Sequence, residues 1–310
     1  MNKLQPDLKT EIAGIKMRNP LLTASGTFGY GKDYTDLIPM DTFGAITVKG
    51  VSPFQSDGNP VPRTAEVFGG MLNAIGLQNP GIDKFIEDSD YLPFLQTVDT
   101  NVFINIWGKT LDDYVCVAET LDKYSNDIAA LEINISCPNI KEGGISFGTD
   151  LKQTHKIVSS VRQATSLPLI TKLSPNVSNI AEFAKCSEEA GSDMISLINT
   201  LPAMAIDIET HRPKLANITG GLSGPAIKPV AIKMVYDAAQ AVKIPVIGMG
   251  GIVEPEDAIE FLIAGADAIA IGTALFYDST APKRILDGIR SYMKKNGIAN
   301  IKDLVGTVSI

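Results

Sequence analysis

Polar side chains and glycines stand at the ends of several apolar, strand-like runs, and together they could bind a flat, polar ligand. The residues at these ends are Ser25, Lys49, Asn105, Asn134, Cys137, Lys172, Asn199, Thr200, Gly250, Gly251, Gly272 and Thr273. A single lysine at such an end is usually just solvated, but lysines and asparagines that converge on one mouth are costly to desolvate without a ligand. Lys172 could stabilise negative charge on a bound cofactor, and Lys49 could pair with a substrate carboxylate. Asparagines supply donors and acceptors for an amide-rich ring; the candidates are Asn73, Asn134, Asn139 and Asn199.

Cys137 is the best candidate for acid–base or nucleophilic chemistry. It follows the alternating run that begins the stretch EINISCPN (132–139), and the intrinsic thiol pKa of about 8.5 suits proton transfer near neutrality. Cys116 and Cys186 lie in helical patterns and are expected to be core or helix-face thiols. The two histidines, in a helix and in an irregular stretch, are not expected to act as bases; they are His155 and His211.

Three glycine-containing segments suggest a phosphate site. GGLSGPAIKP (220–229) puts small residues before a predicted helix, whose free N–H groups can bind an anion. GMGG (248–251) and IGT (271–273) end the last two predicted strands. In α/β barrels, the loops after strands seven and eight commonly form such a site. Simple turns would explain any one of the three. A GxGxxG strand–turn–helix unit is missing, so NAD is not expected on this chain.

These residues need a scaffold that brings strand ends together. Predicted strands cover 20–25, 45–50, 102–108, 130–136, 167–174, 194–200, 244–251 and 268–273, and most are continuous apolar runs typical of buried parallel strands. Predicted helices cover 111–124, 150–165, 178–190, 226–242, 255–264 and 281–295. Eight strands with crossovers indicate a (β/α)8 TIM barrel. A doubly wound open sheet is the alternative.

Two segments fall outside this alternation. Residues 8–20, with Gly14 between two extended runs, predict a hairpin that closes the N-terminal face of the barrel. Residues 51–99 are too long for a plain crossover, and loops of that length are usually functional. No linker divides the chain, which predicts a single domain over 1–310.

Composition excludes several classes of function. The net charge is -8 without a basic run, which argues against nucleic acid or an anionic membrane as partner. The N-terminus has no apolar segment of a signal peptide, and no run approaches the ~18 apolar residues of a transmembrane helix. Three cysteines without a CxxC pair argue against a disulfide framework, a zinc site or an iron–sulfur cluster on this chain. We therefore expect no metal site and a cytoplasmic location.

The ordered motifs resemble class 1 dihydroorotate dehydrogenases, and most closely the class 1B catalytic subunits, over residues 8–290. They are ASGTFG (24–29), GNPVPRTAE (58–66), MLNAIGLQNPG (71–81), NISCPN (134–139), FGTD (147–150), TKLSPNV (171–177), INT (198–200), ANITGGLSGPAIKPVA (216–231), IGMGG (247–251) and IGTA (271–274). Class 2 enzymes carry a serine base and an N-terminal membrane helix, and this chain has Cys137 and no such predicted helix.

The resemblance implies an FMN enzyme of pyrimidine biosynthesis that oxidises dihydroorotate to orotate. Cys137 would remove the C5 proton while hydride passes from C6 to the flavin. The implied substrate-binding residues are Lys49, Asn73, Ala74, Ile75, Gly76, Leu77, Asn134, Asn139, Asn199 and Thr200. The implied FMN-binding residues are Ser25, Lys49, Gly50, Asn105, Asn134, Lys172, Ile198, Gly224, Gly250, Gly251, Gly272 and Thr273.

The class 1B resemblance also implies a partner. Electrons would pass to a separate subunit that carries FAD and a 2Fe–2S cluster and reduces NAD. The assembly implied is a heterotetramer with a homodimer of catalytic chains at its core. A fumarate-linked class 1A enzyme is the alternative, although NAIGLQNPG and LSGPAIKP are similar to the 1B versions.

The sequence departs from the family pattern at four positions. Trp107 and Gly108 stand where small residues are usual, Thr27 where cysteine is frequent, and Gly50 where alanine is common. Trp107 could alter packing beside the flavin or at a subunit face.

Two other flavin-barrel families are less compatible with this chain. Dihydropyrimidine dehydrogenase is a much longer chain with its own iron–sulfur clusters, and tRNA-dihydrouridine synthase acts on nucleic acid, which the net charge disfavours. A non-catalytic flavin-binding barrel is the remaining alternative.

Overall fold

Apolar runs in this chain alternate between extended and helical segments, and the structure assembles them as a barrel of strands wrapped by helices. The computed structural model describes residues 5–135, 141–142 and 145–309. The strands are β1 (Thr10–Ile12), β2 (Ile15–Met17), β3 (Leu21–Thr23), β4 (Ala45–Val51), β5 (Thr64–Val67), β6 (Gly70–Asn73), β7 (Asn101–Ile106), β8 (Ala130–Asn134), β9 (Lys141–Glu142), β10 (Ile145–Ser146), β11 (Leu169–Lys172), β12 (Met194–Leu197), β13 (Leu201–Ala203), β14 (Ile206–Asp207), β15 (Arg212–Pro213), β16 (Gly220–Ser223), β17 (Val246–Met249) and β18 (Ala268–Ile271).

Helices occupy most of the crossovers between barrel strands. They are α1 (Ile82–Glu87), α2 (Leu92–Leu95), α3 (Leu111–Asp122), α4 (Leu151–Ala164), α5 (Ile180–Glu189), α6 (Lys228–Ala241), α7 (Pro255–Ala264), α8 (Ala274–Tyr277) and α9 (Ala281–Asn296). Their starts follow capping chemistry: Thr110 and Asp113 form a reciprocal capping box on α3, and Asp150 accepts from the Gln153 N–H at the start of α4.

Eight parallel strands close into a barrel in the order β3–β4–β7–β8–β11–β12–β17–β18. Each corresponds to one predicted strand, so the (β/α)8 prediction is confirmed and the open doubly wound sheet is wrong. Seven of the eight observed strands are shorter than predicted, and β4 runs one residue further, to Val51. Some of the polar residues at these ends still belong to the strands, namely Lys49, Asn105, Asn134 and Lys172, whereas the others that the structure describes lie in the loops above the barrel.

The lower half of the barrel interior is filled with apolar side chains. The inward residues of this layer include Leu22, Phe103, Ile170, Met194 and Ile247, and all of them are buried. Ile12 and Met17 of the β1–β2 hairpin belong to the same cluster. The hairpin thus covers the N-terminal face of the barrel, as predicted.

The next inward-facing position of the same strands, two residues closer to the C-terminal end of the barrel, is polar. Phe103 is followed by Asn105 in β7, Ile170 by Lys172 in β11, and Met194 by Ser196 in β12. Because alternate residues of a strand face the same side, these polar residues also face the barrel interior. They form the floor of any cavity at the C-terminal end of the barrel. In β8 the corresponding inward polar residue is Glu132, which is 2% exposed.

A second sheet lies over that end of the barrel and had no counterpart in the predicted strands. It consists of four antiparallel strands in the order β13–β16–β6–β5, and we call it the roof sheet. Two of its strands come from the long segment 51–99, and the other two come from 201–223. Asn73 of β6 is paired with Gly221 of β16, and Leu201 of β13 with Leu222 of β16. The roof sheet therefore ties two distant insertions together. Among the helices that the structure describes, none is long and apolar enough to span a membrane.

Candidate active site

A cavity of about 420 Å³ lies between the C-terminal ends of the barrel strands and the roof sheet. Its volume is within the range of roughly 300–1,000 Å³ that is typical of small-molecule sites. The floor is formed by polar residues of the barrel interior, and one end is formed by glycine-containing loops after β16, β17 and β18.

Every predicted site residue that the structure describes lines this one cavity. They are Ser25, Lys49, Gly50, Asn73, Ala74, Ile75, Gly76, Leu77, Asn105, Asn134, Lys172, Ile198, Asn199, Thr200, Gly224, Gly250, Gly251, Gly272 and Thr273. Cys137 and Asn139 lie outside the described residues, so their positions stay predictions. Neither His155, exposed on α4, nor His211, in a turn between β14 and β15, is at the cavity.

The floor of the cavity carries a buried ion pair. The Nζ atom of Lys172 lies 3.4 Å from Oε1 of Glu132, and their side chains are only 6% and 2% exposed. Lys172 also donates to Oγ of Ser25 at 3.2 Å. Both oxygens of Glu132 have further donors: Nδ2 of Asn105 at 2.6 Å from Oε1, and Oγ of Ser196 at 2.8 Å from Oε2. A buried carboxylate held by this many donors is a fixed part of the site.

Asn105 is also confined from its other side. A side-chain carbon added at Gly50 would lie 2.7 Å from Oδ1 of Asn105 and 2.9 Å from Cδ1 of Trp107. Trp107 is 3% exposed and packs edge-on against Phe54, with ring centroids 5.3 Å apart. Glycine at position 50 leaves room for both side chains. The Trp107 indole therefore affects packing next to the cavity wall, and it is buried within this chain.

The Asn134 backbone is held in place from outside the barrel. The hydroxyl of Tyr114, a fully buried residue of α3, donates to the Asn134 carbonyl at 2.9 Å. Asn134 ends β8 and lies three residues before Cys137 in the sequence. This contact fixes the C-terminal end of β8.

Glycines form the far end of the cavity, where main chain without side chains can present its N–H groups to a ligand. Gly251 has φ +82°, and a Cβ there would lie 2.8 Å from the Gly224 carbonyl oxygen and 2.8 Å from Cβ of Lys228, so only glycine fits without strain. Thr273 donates its hydroxyl proton to Oγ of Ser223 at 2.8 Å. The amine of Lys228 binds Asp257 and Glu260, at 2.7 and 2.6 Å, and therefore turns away from the cavity. Main-chain N–H groups and hydroxyls are thus the groups offered to an anion at this end.

The opposite wall comes from the roof sheet and its loops. A Cβ at Gly221 would lie 2.1 Å from Oγ1 of Thr200, which shows how closely β16 approaches the loop after β12. Thr200 is held in turn by Asn176, whose Nδ2 donates to the Thr200 carbonyl at 3.3 Å. Asn59 donates to the Ala74 carbonyl at 2.9 Å and so fixes the start of the loop 74–77.

Lys49 lies half-buried at the cavity wall. Burial lowers the pKa of its amine below the ordinary lysine value, and the positive charge of Arg63 lowers it further. A negative group in the cavity would oppose both effects, because an opposite charge favours the protonated amine. Lys49 is therefore suited to bind an anion.

Residues that line or support the cavity but were not predicted include Glu132, Ser196, Ser223 and Asn176. Glu132 had a signal in the sequence, because an acidic residue inside the apolar run ALEINIS is rare on a strand buried on both faces. The hydroxyls of Ser196 and Ser223 had no such signal.

FMN fits this set of groups. Lys172 on the floor can face negative charge on the ring, and the amide of Asn105 can face its polar edge. The glycines at the far end, Gly224, Gly250, Gly251 and Gly272, line the cavity with main chain that can approach a phosphate closely. Among the described residues, no group of three or more His, Cys, Asp or Glu side chains is placed to hold a metal ion.

Comparison with known proteins matches nearly the whole chain. The family model "Dihydroorotate dehydrogenase" matches residues 7–293. A curated protein of Geotalea uraniireducens is 56% identical over 98% of this chain and 99% of its own length, and one of Lachnoclostridium phytofermentans is 52% identical over 96% and 98%. Both are named "Dihydroorotate dehydrogenase B (NAD(+)), catalytic subunit".

A solved structure supports the fold. The dihydroorotate dehydrogenase of Eimeria tenella, crystallised in complex with ferulenol, superposes with a TM-score of 0.81. The superposition covers 99% of this chain and 90% of that one, at 22% sequence identity. At this identity the similarity concerns the barrel architecture alone.

Proposed function

The chain belongs to the dihydroorotate dehydrogenase family, and on this premise we propose that it oxidises dihydroorotate to orotate with FMN bound in the cavity. The observation that carries the proposal is the Lys172–Glu132 pair at the floor of a cavity whose far end is lined by glycines. This arrangement offers a cation to a ring and an anion site to a phosphate. We also propose that residues 1–310 form a single FMN-binding barrel domain.

The residues of this chain divide between two ligands in the proposed reaction. FMN supplies a hydride acceptor when it is bound. Lys172 stabilises negative charge on the flavin ring, and the glycine N–H groups near Gly251 hold the phosphate. Lys49 pairs with the substrate carboxylate, and asparagines hold the amide edges of its ring; these asparagines are Asn73, Asn134, Asn139 and Asn199.

Cys137 takes the proton from C5 of dihydroorotate in this proposal, while the hydride leaves C6. A thiolate is basic enough to accept that proton near neutral pH. The fixed end of β8, held at the Asn134 carbonyl by Tyr114, supports the placement of the segment that carries Cys137.

We further propose that electrons leave through a partner subunit that carries FAD and a 2Fe–2S cluster and reduces NAD. The names of the relatives from Geotalea uraniireducens and Lachnoclostridium phytofermentans, which specify NAD(+) and a catalytic subunit, support this. The proposed assembly is a heterotetramer with a catalytic homodimer at its core. A cytoplasmic location is proposed from three cysteines without a CxxC pair.

Anaerobic addition of dihydroorotate tests the dehydrogenase proposal directly. The FMN-loaded chain should lose the absorbance of oxidised flavin as orotate forms, because substrate electrons pass to the cofactor. An unchanged flavin spectrum in the intact complex would contradict the proposal. The isolated chain should not reduce NAD until its partner is added. Efficient fumarate reduction by the chain alone would instead favour the class 1A alternative.

Orotate affinity should fall as the pH rises through the lowered pKa of Lys49. A carboxylate binds the protonated amine, so binding raises the Lys49 pKa; affinity is full below the pKa of the free protein and declines above it. Because that pKa lies below the ordinary lysine value, the decline should begin at a correspondingly lower pH. Titration of the FMN-loaded chain with orotate at several pH values, followed by flavin absorbance, measures the orotate affinity.

Two variants sharpen the Lys49 prediction. Lys49→Met should weaken orotate binding by roughly ten- to a hundredfold, since a charge-assisted hydrogen bond contributes about 1.5–3 kcal/mol. In this variant the orotate affinity should no longer decline at alkaline pH. Arg63→Gln removes the like charge that helps to lower the Lys49 pKa, so its decline should move to higher pH. Orotate affinity that is constant across the alkaline range in the wild type would refute the assignment.

A further inference from the structure

Among the residues that the structure describes, Glu132 is the one acidic side chain in the floor of the cavity, and the proposed reaction gives it no catalytic role. It projects inward from the middle of β8 and is 2% exposed. Burying an ionised carboxylate is expensive unless donors replace the lost water. Here the donors come from three other barrel strands or strand ends: Asn105 of β7, Lys172 of β11 and Ser196 of β12.

The carboxylate fixes which atoms the floor can present to a ligand. A carboxylate only accepts hydrogen bonds, so Asn105 must direct Nδ2 toward Glu132. The acceptor Oδ1 of Asn105 then faces the space beside Gly50, a cavity-lining residue. Lys172 uses two donor directions on Ser25 and Glu132 and lines the cavity itself. The floor therefore presents one acceptor and one cation.

The same carboxylate reduces the positive charge that a ligand meets. Lys172 and Glu132 are within 3.4 Å in a region shielded from water, so the field of the cation is partly cancelled at the cavity. The Lys172–Glu132 pair therefore stabilises a ligand that gains negative charge less than an isolated lysine would.

We propose that Glu132 is a positioning residue that orients Asn105 and Lys172 and sets the reduction potential of the bound flavin by partly neutralising Lys172. The inference rests on the proposed function, because it requires FMN above this floor. Reduced flavin carries more negative charge than oxidised flavin. Glu132 therefore disfavours the reduced form and keeps the potential lower than Lys172 alone would set it.

Glu132→Gln separates charge from shape. Glutamine has the same length, and its Oε1 can still accept from Asn105 and Lys172. Its Nε2 takes the place of the second oxygen and can donate to the Ser196 hydroxyl, which is able to accept. The substitution therefore removes the negative charge and leaves the contacts of the floor satisfied.

Spectroelectrochemical titration of the FMN-loaded chain at one fixed pH provides the test. The two-electron midpoint potential of Glu132→Gln should move to more positive values, by at least the equivalent of a tenfold gain in affinity for reduced over oxidised flavin. That gain corresponds to about 30 mV for a two-electron couple. A fluorescence titration with FMN on the same variant reports its binding in the oxidised state.

A second variant guards against failure of the first to fold. Ser196→Ala removes one donor from Oε2 of Glu132 and leaves the carboxylate charge in place, so the midpoint potential should move to lower values. The matched control is Asp267→Asn, which neutralises another partly buried carboxylate; Asp267 accepts from the Val246 N–H at 2.9 Å at the opposite end of the barrel. Its potential should equal that of the wild type.

The outcomes separate this inference from the proposed function. Wild-type chain that binds no FMN would overturn both. Wild-type chain that binds FMN, together with an unchanged or lowered potential in Glu132→Gln, would overturn the role of Glu132 alone. If Glu132→Gln does not fold, an unchanged potential in Ser196→Ala overturns it.

Discussion

Cys137→Ala should bind FMN as tightly as the wild type and be reduced by dihydroorotate about 10²- to 10⁴-fold more slowly, the usual contribution of a general base. The thiol is proposed to accept the C5 proton, and alanine cannot. Stopped-flow measurement of flavin absorbance under anaerobic conditions gives the rate. In the wild type this rate should rise with pH until the thiol is deprotonated, and the pH dependence should disappear in the variant.

The two other cysteines provide matched controls for that experiment. Cys116 is exposed on α3, and Cys186 on α5 directs its Sγ toward the Leu151 carbonyl, 3.2 Å away. Replacement of either by alanine should leave the reduction rate unchanged. Cys137→Ser should be slower than the wild type, because a hydroxyl is a far weaker acid and forms its anion less readily. Wild-type reduction by Cys137→Ala would assign proton abstraction to another group.

Lys172→Met should both weaken FMN binding and lower the free energy of unfolding by about 3–5 kcal/mol. The loss of stability arises because Glu132, 2% exposed, keeps its charge and loses its cation. Urea unfolding of the flavin-free chain measures this term without a contribution from ligand binding.

A double variant distinguishes the ion pair from general damage to the barrel. Lys172→Met combined with Glu132→Gln leaves no unpaired charge, so it should recover most of the unfolding free energy. It should not recover FMN affinity, since the cation is still missing. If the double variant is as unstable as Lys172→Met, the two side chains are not energetically coupled.

The barrel could be predicted from the sequence because its strands are local signals. Each is a short apolar run that is buried on both faces, and each is followed by an amphipathic helix or a long insertion. The hairpin β1–β2 was predicted for the same reason, from extended residues on either side of Gly14. In each case the hydrophobic pattern and the final position of the residues agree.

The roof sheet could not be predicted because its pairing is not local. Its strands have three or four residues and are only partly buried, and two of them, β6 and β16, contain glycines. Asn73 and Gly221, which pair across β6 and β16, are 148 residues apart. Short runs of this kind carry little periodicity, and their partners are determined by the closed barrel beneath them.

Most of the candidate site was predictable for a topological reason. All parallel strands of a barrel end at one face, so residues at strand ends meet regardless of their distance along the chain. Glu132 escaped prediction because its role depends on Asn105, Lys172 and Ser196, each on a different strand. Cys137 and Asn139 stay predictions, and the variants of Cys137 above address the first of them.

The composite origin of the roof sheet limits how substrate preference can change. Since β5 and β6 come from one insertion and β13 and β16 from another, each half ends on backbone hydrogen bonds that only the other half completes. Transplanting a single insertion from a relative with another substrate would place a foreign edge against β6 or β16. Chimeras should therefore keep their activity only when both insertions are exchanged as a matched pair, and the pair should evolve as one unit.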